Sequence, residues 1–326
     1  MIVSCAPFRV SFAGGGSDIA QYYRRERGAV LSCAIAKYSF AVIHPFFNES
    51  KYHLKYSRTE LVDRIDDIQH PLLREALRMQ DVEPGIEITS VADIPSGTGL
   101  GSSSSFSVAL LNALYAYRRV FTPKETLAQE ACTLEIERLN EPIGKQDQYA
   151  AAYGGVNLIE FEPHGGVTVQ PLMLPSATVA ELEANLMLFF TGNQRDARSV
   201  LGQQVKAMQS SEETFGRMRQ MVKLAYEMRD LLMAGDLDGF GEALHCGWEL
   251  KRGVSSSIST AAIDELYDSA RAAGALGGKI AGAGGGGFLL LYCPKSAQPR
   301  VREELRDLQP LEFRFDWGGA RIAFAQ

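Results

Sequence analysis

Residues 95–105 combine the residue types that bind phosphate groups. They hold Gly97, Gly99 and Gly101, followed by four consecutive serines, and lie between a strand-like and a helix-like stretch. Glycines let a ligand approach the backbone amides. The N-terminus of a helix adds unpaired N–H groups and the positive end of its dipole. So many glycines and serines exceed what a helix cap requires, and the segment therefore predicts a phosphate site. A serine-capped helix after a flexible turn is the alternative.

Glu135 and Asp147 are the carboxylates whose positions indicate chemistry. At about 100° per residue, Glu135 falls in the middle of the apolar face of its predicted helix. Glu137 lies nearly opposite and is predicted to be solvated. A buried carboxylate requires a cation or a metal ion, so Glu135 is a functional candidate, and pairing with a buried Arg or Lys is the alternative. Asp147 follows Pro142 and Gly144 in a predicted loop. There it could accept a proton in phosphoryl transfer, although a solvated loop residue is the simpler interpretation.

A second glycine run lies near the start of the chain, where Arg9 and Asp18 bracket three glycines and Ser17. We expect this loop, with Gly15 and Gly16 at its centre, to hold a polyol substrate. Asp18 would accept hydrogen bonds from the hydroxyl groups of that substrate. An ordinary hairpin with turn glycines is the alternative.

Residues 282–287 form a third run of small residues and match G-x-G-x-x-G. The run leads into an apolar strand rather than a helix, so the Rossmann context fails and a dinucleotide-dependent oxidoreductase is disfavoured. The segment at residues 95–105 is not a Walker A loop either, because no Gly-Lys-Ser/Thr closes it. Six small residues in a row predict a close approach to a backbone or to phosphates, and we expect Gly284 and Gly285 to contact the substrate. A tight turn is the alternative.

The elements that position these loops mix strands and helices. Strands are predicted at residues 2–5, 9–13, 30–36, 40–45, 85–91, 154–161, 167–171, 186–191, 288–292 and 311–316. Helices are predicted at residues 72–79, from 106, from 122 to about 140, within 198–234, and at 237–251, 260–273 and 297–308. Thr122 and Glu125 resemble a capping box around a proline at the first helical position. Because the chain lacks a regular βαβ alternation, we predict an α+β fold with two packed lobes and a boundary near residues 180–190.

Composition narrows the class of protein. The formal net charge of −6 does not favour nucleic acid or an anionic membrane as a partner. The five cysteines are scattered and never form CxxC, which favours a reducing compartment over a disulfide framework. The first residues do not resemble a secretory signal, and no apolar stretch is long enough for a bilayer. We therefore expect a cytoplasmic protein.

The three glycine-rich motifs together resemble those of the GHMP kinases, which include galactokinase, homoserine kinase, mevalonate kinase and phosphomevalonate kinase. The motifs are residues 6–18 (APFRVSFAGGGSD), 95–104 (PSGTGLGSSS) and 279–287 (KIAGAGGGG), in the right order across nearly the whole chain. The resemblance implies an ATP-dependent kinase of small molecules. It also implies a ribosomal-protein-like N-terminal lobe with a left-handed βαβ crossover, taken as residues 1–185, and a ferredoxin-like C-terminal lobe, residues 186–326.

The resemblance also implies residue roles. ATP would lie against the second motif, and the expected contacts are Pro95, Gly97, Gly99, Leu100, Gly101, Ser102, Ser103 and Ser104. Ser103 and Glu135 would bind Mg²⁺. Asp147 would be the catalytic base, and Arg9 would support Asp147 and the transferring phosphate. Asp18 would bind the sugar. A non-catalytic sensor of sugar and ATP is disfavoured, because the residues for catalysis occur together.

Within the superfamily, the first motif bears on the substrate. Gly15 and Gly16 stand where galactokinases carry Glu-His, which argues against galactose. The motif, together with EIER at residues 135–138 and KQDQY at residues 145–149, looks most like that of the heptose kinases. These enzymes phosphorylate D-glycero-D-manno-heptose 7-phosphate on the anomeric C1 hydroxyl, for nucleotide-activated heptose of surface polysaccharides. Fucokinases and other sugar-1-kinases are the alternative.

A substrate that already carries a phosphate needs cationic contacts. Arg195 and Arg198 follow a predicted strand and precede a helix, so either could bind that phosphate; solvated arginines at a helix end are the alternative. The expected partners are thus ATP, Mg²⁺ and a small-molecule sugar phosphate. A homodimer is one oligomeric state that the sequence leaves open.

Overall fold

The structure, a computed structural model, describes residues 1–192 and 197–326, with the backbone alone at residues 197 and 198. In this part of the chain the strands are β1 (Ile2–Ala13), β2 (Gly28–Pro45), β3 (Tyr52–Lys55), β4 (Thr59–Val62), β5 (Ile86–Ala92), β6 (Val156–Phe161), β7 (Val167–Pro171), β8 (Leu186–Phe190), β9 (Gly277–Ile280), β10 (Phe288–Tyr292), β11 (Gln309–Pro310) and β12 (Arg321–Ala325). The α-helices are α1 (Ala20–Tyr23), α2 (Pro71–Met79), α3 (Ser102–Tyr117), α4 (Lys124–Cys132), α5 (Gln146–Tyr153), α6 (Ser176–Asn185), α7 (Ala197–Ser210), α8 (Glu212–Ala234), α9 (Leu237–Arg252), α10 (Ala261–Ala272) and α11 (Gln298–Glu304).

The first sheet is built mainly from the N-terminal half of the chain. Its order is β12-β1-β2-β5-β3-β4, and β6 also pairs with β2 and carries β7 on its other side. Every pair is antiparallel except β3 with β5. The C-terminal strand β12 lies beside β1, so the end of the chain returns to the sheet in which the chain begins.

The strands of this sheet correct several predictions. The predicted strands 2–5 and 9–13 are one strand, because the sheet accommodates Pro7 at a register shift between Pro7 and Phe8. The predicted strands 30–36 and 40–45 are likewise one strand of 18 residues. The predicted strand 311–316 is wrong: only Phe315 forms an isolated bridge there, and the real last strand, β12, was missed. Strand β12 has only five residues, and all of them are exposed although four are apolar.

The second sheet has the order β11-β8-β10-β9 and is antiparallel throughout. One hydrophobic core joins this sheet to helices α8, α9 and α10 and to one face of β1, whereas a second core lies between the other face of the first sheet and helices α2 to α5. The mixed strands and helices confirm the predicted α+β class. The division at residue 185 and the handedness of the crossover stay predictions. Within the described residues, no helix is long and apolar enough to cross a membrane.

The helix predicted from Thr122 to about Asn140 has an irregular second half. Helix α4 begins after Pro123, which is extended and serves as the N-cap, so the predicted threonine cap is wrong. The Thr122 hydroxyl is buried, with no hydrogen-bond partner among the described residues. From Thr133 to Arg138 the backbone is a π-helix, a wider turn that is frequent at functional sites.

Candidate active site

A cavity of about 400 Å³ lies between strand β1 and the three glycine runs, at residues 14–16, 95–104 and 282–287. Most of the predicted site residues line it, namely Arg9, Gly15, Gly16, Asp18, Gly97, Gly99, Gly101, Ser102, Ser103, Ser104, Glu135 and Asp147. Five predicted residues do not line it, namely Pro95, Leu100, Ser17, Gly284 and Gly285. Arg195 and the side chain of Arg198 lie outside the described residues. The cavity therefore gathers residues that are separated by more than a hundred positions in the sequence.

Arg9 and Asp147 form the central contact of the cavity. The Arg9 Nε and Nη2 groups each donate to one carboxylate oxygen of Asp147 at 2.7 Å. The Nη1 group of Arg9 donates to the Gly99 carbonyl at 2.6 Å. Asp147 lies in the first turn of α5, not in a loop as predicted, and its side chain is 21% exposed. Asp147 is therefore an ion-paired residue beside the loop at residues 95–104, and not the solvated loop residue of the simpler interpretation.

The alternation of β1 explains how Arg9 reaches the cavity. Phe8, Val10 and Phe12 point into one hydrophobic core, so Arg9 and Ser11 point to the opposite face of the strand. Ser11 donates to the Gln146 side chain at 2.9 Å, one residue before Asp147. The strand thereby fixes the N-terminus of α5 through two neighbouring contacts.

Glu135 is buried as predicted, with 1% exposure, whereas Glu137 is exposed. The carboxylate accepts from the Ser103 hydroxyl at 3.0 Å and from the Gln148 amide at 2.7 Å. No Arg or Lys of the described residues forms an ion pair with it, so the alternative of a buried salt bridge is wrong for that part of the chain. Burial raises its pKa to about 7, and the hydrogen bonds from serine and Gln148 only partly offset this effect.

The pair of Ser103 and Glu135 fits a divalent cation. Magnesium takes one or two protein oxygens and completes its octahedron with water and substrate phosphates. Glu135 is a buried carboxylate with no ion-pair partner in the described part of the chain. It lines the cavity, and the hydroxyl oxygen of Ser103 lies beside it. The described residues contain no cluster of three or more His, Cys, Asp or Glu, so an all-protein metal cage does not form there. The chemistry of the two oxygens suits a cation that arrives with phosphates.

Asp18 is held by donors of the chain itself. Its carboxylate accepts from the Gly16 amide at 2.9 Å, and from the Gln146 amide and side chain at 3.2 and 3.1 Å. Burial, and then the charge of Asp147, raise the pKa of this carboxyl. A Cβ on Gly144 would lie 1.9 Å from Asp18 Oδ2, so only glycine fits there. Asp18 lines the cavity, and any ligand hydroxyl would meet a carboxylate whose orientation is already fixed.

Residues 282–287, the third glycine run, make the predicted close approach, and they approach the backbone of the loop at residues 95–104. A Cβ on Gly99 would lie 2.6 Å from the Ala281 carbonyl, and a Cβ on Gly282 would lie 2.7 Å from the Gly99 α-carbon. The two glycine loops therefore touch at their main chains. Gly285 instead turns away and donates its amide to the Ile258 carbonyl at 2.7 Å. Gly282 and Ala283 face the cavity in place of the predicted Gly284 and Gly285.

Sequence reasoning missed two buried lysines near the cavity. Lys251 lines it at the end of α9, with 3% exposure, and donates to the Gly282 carbonyl at 2.5 Å. Lys279, with 4% exposure, donates to the Ser11 carbonyl at 2.8 Å. A signal existed for Lys279, because it interrupts an otherwise small and apolar strand. Lys251 stands beside Arg252 at a helix end, where basic residues are ordinary, so no local pattern selects it.

The family follows from comparison with known proteins. The "GHMP kinases N terminal domain" matches residues 66–155, and "GHMP kinases C terminal" matches residues 228–310, together just over half of the chain. The chain belongs to the GHMP kinases. It is therefore a phosphotransferase that uses ATP and has an alcohol group as the acceptor.

Three relatives narrow the class. The chain is 28% identical to a D-glycero-alpha-D-manno-heptose 7-phosphate kinase of Campylobacter jejuni, over 93% of this chain and 92% of that protein. It is 26% identical to an L-fucokinase/L-fucose-1-P guanylyltransferase of Bacteroides fragilis, over 92% of this chain but only 36% of that protein. A solved structure of a D-glycero-D-manno-heptose 1-phosphate kinase from Bacteroides thetaiotaomicron superposes with a TM-score of 0.82 at 26% identity, and the match covers 100% of both chains.

Proposed function

We propose that this kinase transfers the γ-phosphoryl group of ATP to the anomeric C1 hydroxyl of D-glycero-D-manno-heptose 7-phosphate. The product would be the 1,7-bisphosphate, a precursor of nucleotide-activated heptose for surface polysaccharide. We place the reaction in the cytoplasm, where ATP is made. A homodimer is one oligomeric state that the enzyme could adopt, and analytical ultracentrifugation tests it. The likeness to the Campylobacter heptose 7-phosphate kinase along nearly the full length of both chains supports this substrate.

The observation that carries the mechanism is the contact of Arg9 with both Asp147 and Gly99. In this proposal the Asp147 carboxylate accepts the proton of the attacking hydroxyl. Arg9 orients that carboxylate through two parallel hydrogen bonds and is positioned beside the loop expected to hold the phosphates. The two parallel hydrogen bonds hold the Asp147 carboxylate in one orientation at the cavity wall.

The remaining roles follow the position of each residue in the cavity. The amides of the loop formed by residues 95–104 would bind the ATP phosphates, close to the N-terminus of α3. Ser103 and Glu135 would hold Mg²⁺, which supplies charge neutralisation at the phosphates when bound. Asp18 would orient the sugar through its hydroxyl groups. Arg195 and Arg198 stay candidates for the phosphate at the far end of the sugar. Gly282 and Ala283 replace Gly284 and Gly285 as candidates for substrate contact, because they line the cavity.

A fucokinase is the second candidate. The relative from Bacteroides fragilis matches 92% of this chain, so the same residues could serve a sugar without a phosphate. The two candidates differ in the acceptor, not in the chemistry at Asp147. A cation that contacts a phosphate of the acceptor would be needed for the first candidate and idle in the second.

A panel of acceptors tests the proposal. The purified enzyme, with ATP and Mg²⁺, is offered mannoheptose 7-phosphate, sedoheptulose 7-phosphate, fucose, galactose and mannose, and ADP release is followed. We expect the highest kcat/KM for mannoheptose 7-phosphate, with phosphorus NMR placing the new phosphate on C1. A higher kcat/KM for fucose would favour the second candidate, and a phosphate on any other carbon would overturn the assignment to C1.

A further inference from the structure

Lys251 is a buried cation with hydrogen-bond donors to spare. Its ammonium group donates to the Gly282 carbonyl, and no carboxylate of the described residues lies within ion-pair distance of it. An ammonium group has three donors, and buried donors need acceptors. Burial lowers the pKa of Lys251 to about 8, with a further lowering by the charge of Arg9. The site therefore holds a positive charge that the described protein atoms only partly satisfy.

The other cation on the cavity wall is already engaged. Among the described residues that line the cavity, Arg9 and Lys251 are the basic ones. All three side-chain nitrogens of Arg9 donate, two to Asp147 and one to the Gly99 carbonyl. Each Nη of Arg9 has a second N–H, but the charge of Arg9 is paired with Asp147. Lys251 is therefore the cavity-lining cation of the described residues whose charge has no carboxylate partner.

The position of Lys251 is on the acceptor side of the cavity. Among the carboxylates, Asp18 is the one whose charge raises the pKa of Lys251, against the larger lowering by burial. A second, smaller cavity with room for about one water lies between Lys251, Lys279 and the start of the first glycine loop at Ala13 and Gly14. The charged groups that face Lys251 are thus Arg9 and Asp18, with Lys279 behind it.

We propose that Lys251 binds the phosphate that the acceptor sugar already carries. This inference rests on the proposed function and deepens it, since it names a residue that selects a phosphorylated sugar over a plain one. A phosphate oxyanion would accept the two spare N–H donors in charge-assisted hydrogen bonds, which are about twice as strong as neutral ones. It would also neutralise a charge that is costly to bury.

Inorganic phosphate is the first probe, because it tests the site without assuming any sugar. A non-hydrolysable ATP analogue with Mg²⁺ fills the nucleotide half, and calorimetry then measures the phosphate affinity of the wild type, Lys251→Met and Lys206→Met. Lys206 is an exposed lysine of α7 that does not line the cavity, so its variant carries the same change of net charge. We expect Lys251→Met to weaken phosphate binding by about 10-fold or more, and Lys206→Met to leave it unchanged.

Equal phosphate affinity in the wild type and in Lys251→Met would overturn the proposal, and so would an absence of phosphate binding to the wild type. Thermal melting checks that the variant is folded. Methionine keeps the apolar stem of lysine and removes a buried charge, so the melting temperature is expected to hold or rise. Lys251→Gln serves in its place if the methionine variant does not fold.

Kinetics with two acceptors is the second test. With mannoheptose 7-phosphate, Lys251→Met should raise the KM about 10- to 100-fold, whereas the KM for ATP stays within about twofold. With the unphosphorylated heptose, kcat/KM should be the same in both proteins. A raised KM for ATP would assign Lys251 to the nucleotide phosphates instead, and equal losses with both sugars would make it a structural residue. If the wild type phosphorylates neither sugar, the proposed function fails, and the phosphate titration still decides the role of Lys251.

Discussion

The two halves of the cavity are built in different ways. The half proposed to bind the nucleotide, called the nucleotide half, comes from one continuous stretch, residues 95–104, and from Glu135 on the π-helical segment after α4. The acceptor half brings together Asp18, Gln146, Gln204 and Lys251, which come from four separate parts of the chain. Phosphates common to every ATP can be held by backbone amides in one loop, whereas a particular sugar requires side chains from several directions. The residues expected to bind the nucleotide phosphates are therefore mostly local in the sequence, and those expected to bind the acceptor are not.

Replacement of Asp147 by asparagine should have the largest effect, because Asp147 stands where the two halves meet. The amide keeps the size of the side chain but cannot accept the proton, so kcat should fall about 1,000-fold. The affinity for ATP, measured by fluorescence titration or calorimetry, should change by less than about threefold, because the nucleotide half is intact. Unchanged turnover would remove Asp147 from the mechanism and leave the junction of the halves without a base.

A glycine comparison within residues 95–104 tests whether the nucleotide half depends on its contact with the third glycine run. Gly99→Ala would place a Cβ 2.6 Å from the Ala281 carbonyl at a φ of +86°. It should lower the free energy of unfolding by about 3 kcal/mol and weaken ATP binding. Gly97→Ala is the matched control: φ is +80°, but no atom lies within 4 Å of the new Cβ. It should cost about 1 kcal/mol from backbone strain alone. Urea unfolding measures both free energies of unfolding, and equal losses in the two variants would mean that the contact between Gly99 and Ala281 is unimportant.

Glu135 predicts a pH-dependent stability in the nucleotide half. Burial raises the folded-state pKa of Glu135 from 4.5 to about 7, so the folded protein binds a proton that the unfolded chain has already lost. In the metal-free protein, this stabilisation is present below about pH 4.5 and is lost as the pH rises to about 7. Glu135→Gln should remove that pH dependence and, at pH 8, raise the free energy of unfolding by about 2 kcal/mol.

Melting temperatures of the metal-free wild type and Glu135→Gln at pH 5, 6, 7 and 8 measure this difference. The variant should lose activity even as it gains stability, because the magnesium ligand is gone. A constant difference in melting temperature between the two proteins across this pH range would contradict the raised pKa of Glu135. Mg²⁺ with an ATP analogue should erase the advantage of the variant at pH 8.

The smallest expected effect is that of Ser103→Ala. Its hydroxyl accompanies Glu135, so its loss should raise the Mg²⁺ concentration for half-maximal activity by about 10-fold. Ser96→Ala, in an exposed residue of the same loop, is the control and should leave the magnesium requirement unchanged. A similar change in both variants would indicate a general disturbance of the loop rather than the loss of a ligand.

The contrast between the halves also explains what the sequence could predict. The glycine and serine runs, the burial of Glu135 and the α+β class were all accessible, because each depends on composition or periodicity within one segment. Pro142 and Gly144 favour a loop at Asp147, which in fact lies in the first turn of α5. Strand β12 is a short segment at the end of the chain, and its pairing with β1 is a long-range contact that no local pattern shows. Lys251 carried no local signal at all. Its meaning depends on burial beside Gly282, which only the tertiary structure supplies.

The contact between the two glycine loops has a consequence for how the ligands influence one another. Arg9 donates to the carbonyl of Gly99, Gly99 packs on Gly282, and Lys251 donates to the carbonyl of Gly282. An anion bound at Lys251 and a nucleotide bound at residues 95–104 would thus contact neighbouring parts of the same backbone contact, that of Gly99 with Gly282. Thermodynamic linkage makes such coupling reciprocal: the factor by which the acceptor changes the affinity for ATP is the factor by which ATP changes the affinity for the acceptor.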